Sequence, residues 1–287
     1  MRGAAADGAL APLDTAPAPL SLPAGGSATI AAVTPPRPTP PLLRAWRATR
    51  LGLHLVEGIL TVLLFFPLRS AQGRRGLRKA WSHRLLALLG VHLRVDGAPV
   101  APGSLLVANH ISWLDIFAIH ALAPSAFVSK AEVRAWPLAG WLAGHNETVF
   151  LRRGSRGHAK TVNGEIASIL ETGGHVAVFP EGTTTDGSQV LHFHGALLQP
   201  ALDAAHPVQP LALSYHDATG QRTTATAYVG ETSFGECLAA ILAERRLEVR
   251  IQVLPSHAAS AETGRRALSN ACRAAILNHL GLPDETA

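Results

Sequence analysis

The 287-residue chain has 25 Lys and Arg against 20 Asp and Glu, a formal charge of +5 and a pI near 9.9, a balance that suits anionic partners: nucleic acid, anionic lipid or phosphorylated substrates. Only 16% of residues are charged and 47% are hydrophobic, against about 25% charged in ordinary domains, so apolar surface is left over once a core is built. Two cysteines, Cys237 and Cys272, exclude a disulfide framework and lack zinc-site spacing, which leans the chain towards the cytosol.

Residues 1–40 are rich in Ala, Pro, Gly, Ser and Thr. The run "TPPRPTPP" forms neither a helix nor an inner strand. The expectation is a disordered tail, and a poor secretory signal, since no compact apolar core follows Arg2.

The composition changes at residue 42. Leu51 to Leu68 is strongly apolar, interrupted by His54 and Glu57 and closed near Pro67. A membrane crossing needs about 20 apolar residues, so this stretch is borderline. Arg44, Arg47 and Arg50 precede it, and Arg69, Arg74, Arg75, Arg78 and Lys79 follow. Cations at both ends fit a helix lying in one leaflet better than a crossing with asymmetric loops, with Trp46 and Trp81 at head-group level. A second amphipathic helix, basic early and apolar late, is read in "RGLRKAWSHRLLALLGVHL", stopped near Gly90. Residues 41–90 are therefore expected to be membrane-associated helices and 91–287 a separate folded domain.

Beyond Gly90 the pattern alternates. Short β-rich runs are "SLLVAN", "AFVSK", "ETVFL", "HVAVFP", "VQPLALSY", "TATAYVG" and "VRIQVL". Helical runs fall at 112–122, 136–144, 157–172 and 263–280. This predicts an α/β fold with a mixed, largely parallel sheet flanked by helices, preceded by the amphipathic helices. The charge run "AERRLEVR" is expected to be a solvated helix end.

Three stretches carry chemistry. In "VANHISWLDIFAIH", His110 and Asp115 are five apart, a spacing that separates them on a continuous helix. "LLVA" reads as a buried strand, Ser112 as a helix N-cap, and Asp115 as the acid of a Ser-x-x-acid start. A strand-to-helix turn at Asn109–His110 would fold His110 back on Asp115. The carboxylate would hold one ring nitrogen and leave the other to act as a general base. "VFLRRGSRG" ends a strand at Arg152 and Arg153, with Arg156 after a turn, and arginine forks suit phosphate or carboxylate. In "HVAVFPEGTTTDG" a buried strand runs into Glu181-Gly182-Thr183, where an acid just past a strand end is well placed for a ligand cleft. His192 and His194 in "LHFH" have no third ligand at a telling spacing, so no metal is expected. The chain has no P-loop, no G-x-G-x-x-G fingerprint and no G-x-S-x-G elbow.

In this order and at these separations, "NHxxxxD", "FLRR" and "FPEGT" resemble the motifs of the glycerophospholipid acyltransferase family, over roughly residues 80 to 255. "VQPLAL" with Pro210 is similar to a later hydrophobic-proline block. The resemblance implies an O-acyltransferase that moves a fatty acyl chain from a CoA or acyl-carrier-protein thioester to a lysolipid hydroxyl. His110 is then the base and Asp115 its orienting partner. Arg153, helped by Arg156, contacts the glycerol phosphate, and Glu181, Gly182 and Thr183 bind the acceptor. The implied acceptor is 1-acylglycerol-3-phosphate, and the implied place is the cytoplasmic face of the inner membrane, on anionic lipid. No cofactor beyond the acyl donor and no nucleic acid is implied. One departure bears on the acceptor. Phosphatidic-acid-forming members commonly carry an arginine after "FPEGT", where this chain has Thr184, followed by Thr185 and Asp186. That variant is similar to members that acylate lyso-ornithine lipid, the alternative acceptor.

Overall fold

The computed structural model describes residues 38–135, 139–151, 156–259 and 264–284, with the side chains of 139 and 156–159 excepted. The expected tail lies almost wholly outside the described residues, and Arg152 and Arg153 lie outside them too.

Helix α1 (Pro41–Leu60) runs on through a π turn at Thr61–Phe65 and a 3-10 turn at Phe66–Leu68. Pro67 has no N–H to give the preceding turn and its ring crowds the carbonyl four residues back, so the helix widens ahead of it. Helix α2 (Ala71–Leu89) starts where Ser70 Oγ accepts from Gly73 N–H and stops at Gly90, whose φ of 77° closes the last turn.

The polar interruptions of α1 face α2. His54 stacks on Trp81 with ring centroids 4.5 Å apart. Its ring nitrogens meet Glu57 Oε2 and the Trp81 carbonyl, each at 3.0 Å, and Trp81 Nε1–H donates back to the His54 carbonyl at 3.1 Å. Trp81 is thus a packing residue of the helix pair and not a head-group anchor, a correction to the sequence reading: the ring lies over Gly58, where a Cβ would come within 2.8 Å of its Nε1. The opposite face of α1, with Leu42, Trp46, Leu53, Val56, Leu60, Leu63 and Leu64, is exposed. At its start α1 is clipped to the far end of a later helix, α7 (Phe234–Ala243): Thr39 N–H donates to the Ala243 carbonyl at 2.8 Å. Arg47 donates to the carbonyls of Glu244 and Arg245 at 2.8 and 3.0 Å.

The sheet comprises β1 (Val91–Gly97), β2 (Leu105–Ala108), β3 (Ser125–Lys130), β4 (Val149–Leu151), β5 (His175–Val178), β6 (Val208–His216) and β7 (Leu247–Val253), in the order β1-β7-β6-β2-β5-β3-β4. All pairings are parallel except β6 with β7. The remaining helices are α3 (Leu114–Leu122), α4 (Ala139–His145), α5 (Arg156–Glu171), α6 (Gln199–Asp203) and α8 (Arg265–Leu280). Both faces of the inner strands are covered, as parallel sheets require. On β2, Leu106 and Ala108 join α2 and α3 in one apolar cluster, and Leu105 and Val107 join α5 and α8 in the other. Cys237 and Cys272 are free and buried in different clusters.

Three local expectations are corrected. "TATAYVG" does not pair as a strand but crosses the sheet end, where Tyr228 N–H donates to the Ile111 carbonyl at 3.0 Å. "VHLRVDG" is edge strand β1, which its largely exposed, charged side chains disguise. The charged run 243–250 turns after Ala243 and enters β7, whose alternate residues are buried.

Candidate active site

The site forms where β2 and β5 end at the same edge of the sheet. As β2 runs out, the Asn109 side chain replaces a ladder rung: its Nδ2–H donates to the Leu213 carbonyl at 3.1 Å, and Leu213 N–H donates to its Oδ1 at 2.8 Å. Asn109 is buried, so the turn begins from a fixed point on β6. The chain then reverses into α3, with Asp115 in its first turn.

His110 and Asp115 meet in this turn, with Nδ1 to Oδ2 at 2.8 Å. Asp115 is fully buried, and His110 keeps 19% of its side chain exposed. The same Oδ2 accepts from the N–H groups of Ile111 and Ser112 at 2.7 and 2.9 Å. Oδ1 accepts from the Tyr215 hydroxyl at 2.6 Å. A carboxylate so supplied with donors places the ring proton of His110 on Nδ1 and leaves Nε2 with a free lone pair. The His110 ring stacks on Phe179, centroids 3.9 Å apart and 9° from parallel. The capping box expected of Ser112 is half formed: Asp115 accepts from Ser112 N–H, while Ser112 Oγ accepts from Leu114 N–H at 3.4 Å.

Glu181, after β5, is buried with both oxygens engaged. Oε1 accepts from His110 N–H at 2.7 Å and Oε2 from Leu191 N–H at 2.8 Å. Burial pushes its carboxyl up to about 7, against the pull of those two N–H groups. In this arrangement Glu181 braces the His110 turn. Gly182 has a φ of 71° and Thr183 is exposed at the rim. The loop then crosses the turn: Thr185 N–H donates to the His110 carbonyl at 2.8 Å, and the Thr184 hydroxyl is turned inward onto the Tyr228 carbonyl. Asp186 is exposed beside them, held below the usual carboxylate range by hydrogen bonds from Ser188.

Arg156 begins α5, but its side chain, like all of Arg153, lies outside the described residues. His192 and His194 are exposed, with rings 5.7 Å apart. Among the described residues no group of three or more His, Cys, Asp or Glu is placed to hold a metal ion. Sequence reasoning missed Tyr215 and the bracing role of Asn109. A signal for the first was present: a phenol closing an apolar strand needs a buried partner for its hydroxyl.

A buried carboxylate and a partly exposed imidazole thus meet at the carboxyl ends of parallel strands. The family model described as Acyltransferase matches residues 92–214. A lyso-ornithine lipid O-acyltransferase of Pseudomonas aeruginosa is 44% identical over 181 residues, 63% of this chain and 69% of that protein. A 1-acyl-sn-glycerol-3-phosphate acyltransferase of Neisseria meningitidis is 40% identical over 169 residues, 58% of this chain and 66% of that protein. The crystal structure of the 1-acyl-sn-glycerophosphate acyltransferase of Thermotoga maritima superposes with a TM-score of 0.61 at 19% identity, over 84% of this chain and 95% of that one, a likeness of fold. The chain belongs to the acyltransferase family. It is an enzyme that acylates lysolipids, and its long apolar helix Pro41–Leu68 fits membrane association.

Proposed function

We propose that the enzyme transfers an acyl chain from a CoA or carrier-protein thioester to the hydroxyl of lyso-ornithine lipid, with His110 as general base. The observation that carries the mechanism is the His110–Asp115 contact of 2.8 Å on a turn whose imidazole still reaches solvent. Nε2 takes the acceptor's hydroxyl proton as its oxygen attacks the thioester carbonyl. The carbon–sulfur bond breaks, and the thiolate leaves with the proton from the imidazolium. Base assistance of this kind is worth roughly 10²–10⁴-fold.

The rim supports the choice of acceptor. An ornithine head group presents an ammonium and a carboxylate. Thr184 stands where phosphate-binding members carry an arginine, and its hydroxyl faces inward on Tyr228. Exposed Asp186 suits the ammonium, and Arg153 with Arg156 suits the carboxylate. The second reading, 1-acylglycerol-3-phosphate, is favoured by the Neisseria relative and by the same two arginines. The reading puts the site on the cytoplasmic face of the membrane, where a CoA or carrier-protein donor would be met, and the basic residues flanking α1 suit anionic lipid.

The test offers purified enzyme both lysolipids with a labelled acyl thioester and reads the products by mass. Acylated lyso-ornithine lipid as the main product supports the proposal, and phosphatidic acid alone overturns the acceptor. Thiol release without any lysolipid points to hydrolysis. His110→Ala is expected to lower turnover at least 100-fold with folding and vesicle binding intact. Near-normal turnover in that variant removes His110 as the base.

A further inference from the structure

We propose that Tyr215 is a positioning residue of this site, acting on His110 only through Asp115. The inference rests on the reading of His110 as the base and adds a third member to the pair, on a different strand.

Asp115 is fully buried and Tyr215 is 2% exposed, so neither oxygen of the carboxylate has water to complete its shell. Its two oxygens are supplied differently. Oδ2 gathers three donors, two of them backbone N–H groups that the turn fixes by itself. Oδ1 takes the Tyr215 hydroxyl at 2.6 Å, a contact between residues 100 apart in sequence. The backbone donors hold one oxygen as a pivot, about which the carboxylate can still rotate. The hydroxyl stops that rotation, and so fixes the direction in which Oδ2 meets His110 Nδ1.

Tyr215 is itself rigidly placed. Two residues earlier on β6, Leu213 makes the paired hydrogen bonds with the Asn109 side chain, immediately before His110. Strand β6 therefore grips both ends of the catalytic turn, at Asn109 and at Asp115. Burial, and then the Asp115 charge, push the Tyr215 phenol well above its ordinary range, so it remains a donor throughout the working pH range. The other titratable groups facing this cluster are Glu181 behind the turn and Cys237 on α7.

The experiment is a double-mutant cycle read as kcat and acceptor KM. Tyr215→Phe removes one oxygen and keeps the ring. Its kcat is expected to fall on the order of tenfold with acceptor KM within about twofold, since the acceptor does not touch Tyr215. In a chain already carrying Asp115→Asn, where the charge that Tyr215 orients is gone, adding Tyr215→Phe is expected to lower kcat by well under the roughly tenfold expected of it alone, because its route to His110 runs through the side chain at 115. Additive losses in kcat, or a loss confined to KM, would overturn the proposal and make Tyr215 a packing residue of β6. If Tyr215→Phe does not fold, fluorinated tyrosine in a Tyr228→Phe chain labels Tyr215 alone, since the sequence holds two tyrosines. A change in kcat with phenol acidity supports the proposal, and an unchanged kcat overturns it. His110→Ala separates the two claims. If that variant is active, the base assignment falls and this inference falls with it. If it is inactive while Tyr215→Phe turns over at the wild-type rate, only the role of Tyr215 is lost.

Discussion

Replacing Asp115 by asparagine separates charge from shape. The amide oxygen can take the place of Oδ2, accepting from His110, Ile111 and Ser112. The amide NH2 then faces the Tyr215 hydroxyl, which can rotate to accept. The fold loses little, about 1 kcal/mol. On the proposed mechanism, chemistry loses the negative charge beside the imidazolium that forms as the acceptor's proton is taken. With Nδ1 and Oδ2 at 2.8 Å, the centres of charge lie about 4 Å apart, worth about 4 kcal/mol at an effective dielectric constant near 20. That predicts a fall in kcat of roughly 10³-fold. Asp115→Ala is different: it strands two backbone N–H groups and a phenol in the core, at about 1–3 kcal/mol each, and should destabilise the protein severely. The assay is thiol release at saturating lysolipid, paired with thermal unfolding. If Asp115→Asn folds normally and keeps kcat within tenfold of the parent, the charge plays no part in proton transfer and Asp115 only caps α3.

Two further outcomes follow from the brace and from the membrane helix. The folded-state Glu181 carboxyl lies near 7 against an ordinary 4.5, so the native protein holds a proton between those values that the unfolded chain has released. Glu181 therefore makes stability fall as pH rises through that window, by about 3 kcal/mol in all, and level off above it. Glu181→Gln lacks this term, so its stability relative to the parent should improve from pH 5 to pH 7.5, and parallel curves would rule the effect out. On α1 and the π turn that continues it, Leu53 and Leu64 are 66% and 59% exposed. Aspartate at each should weaken vesicle sedimentation by roughly 30-fold per site, from about 2 kcal/mol of lost apolar burial, with no change in unfolding temperature. Undiminished vesicle binding by the double variant would show that another surface meets the lipid.

What the sequence disclosed about this molecule was its local logic. The five-residue spacing of His110 and Asp115 makes sense only across a strand-to-helix break, and the structure has one there. The buried runs "LLVA" and "HVAV" declared themselves by continuous apolar character, the mark of strands covered on both faces. What stayed hidden depends on contacts between distant parts of the chain. Edge strand β1 is stabilised by its pairing with β7, not by its own composition. Tyr215 sits 100 positions from the carboxylate it serves, and no local pattern announces that pairing. Glu181 reads as a ligand residue from its place after a strand. Its commitment to two backbone N–H groups appears only once residues 110, 181 and 191 are brought together. Trp81 misled for a related reason: an amphipathic ring beside basic residues fits a head-group anchor, and only Gly58 on the neighbouring helix reveals the slot it fills.

The clip between α1 and α7 has a mechanical outcome. A greasy helix tied to its domain at Thr39 and Arg47, and again at His54, has no hinge on which to swing. On the proposed reading, with this helix in the lipid and His110 as base, it would act as a keel and the fold would set the height of the imidazole above the bilayer. Substrates would then have to come to that level, and the length of the lysolipid's exposed head, more than any motion of the enzyme, would decide which hydroxyl arrives within reach.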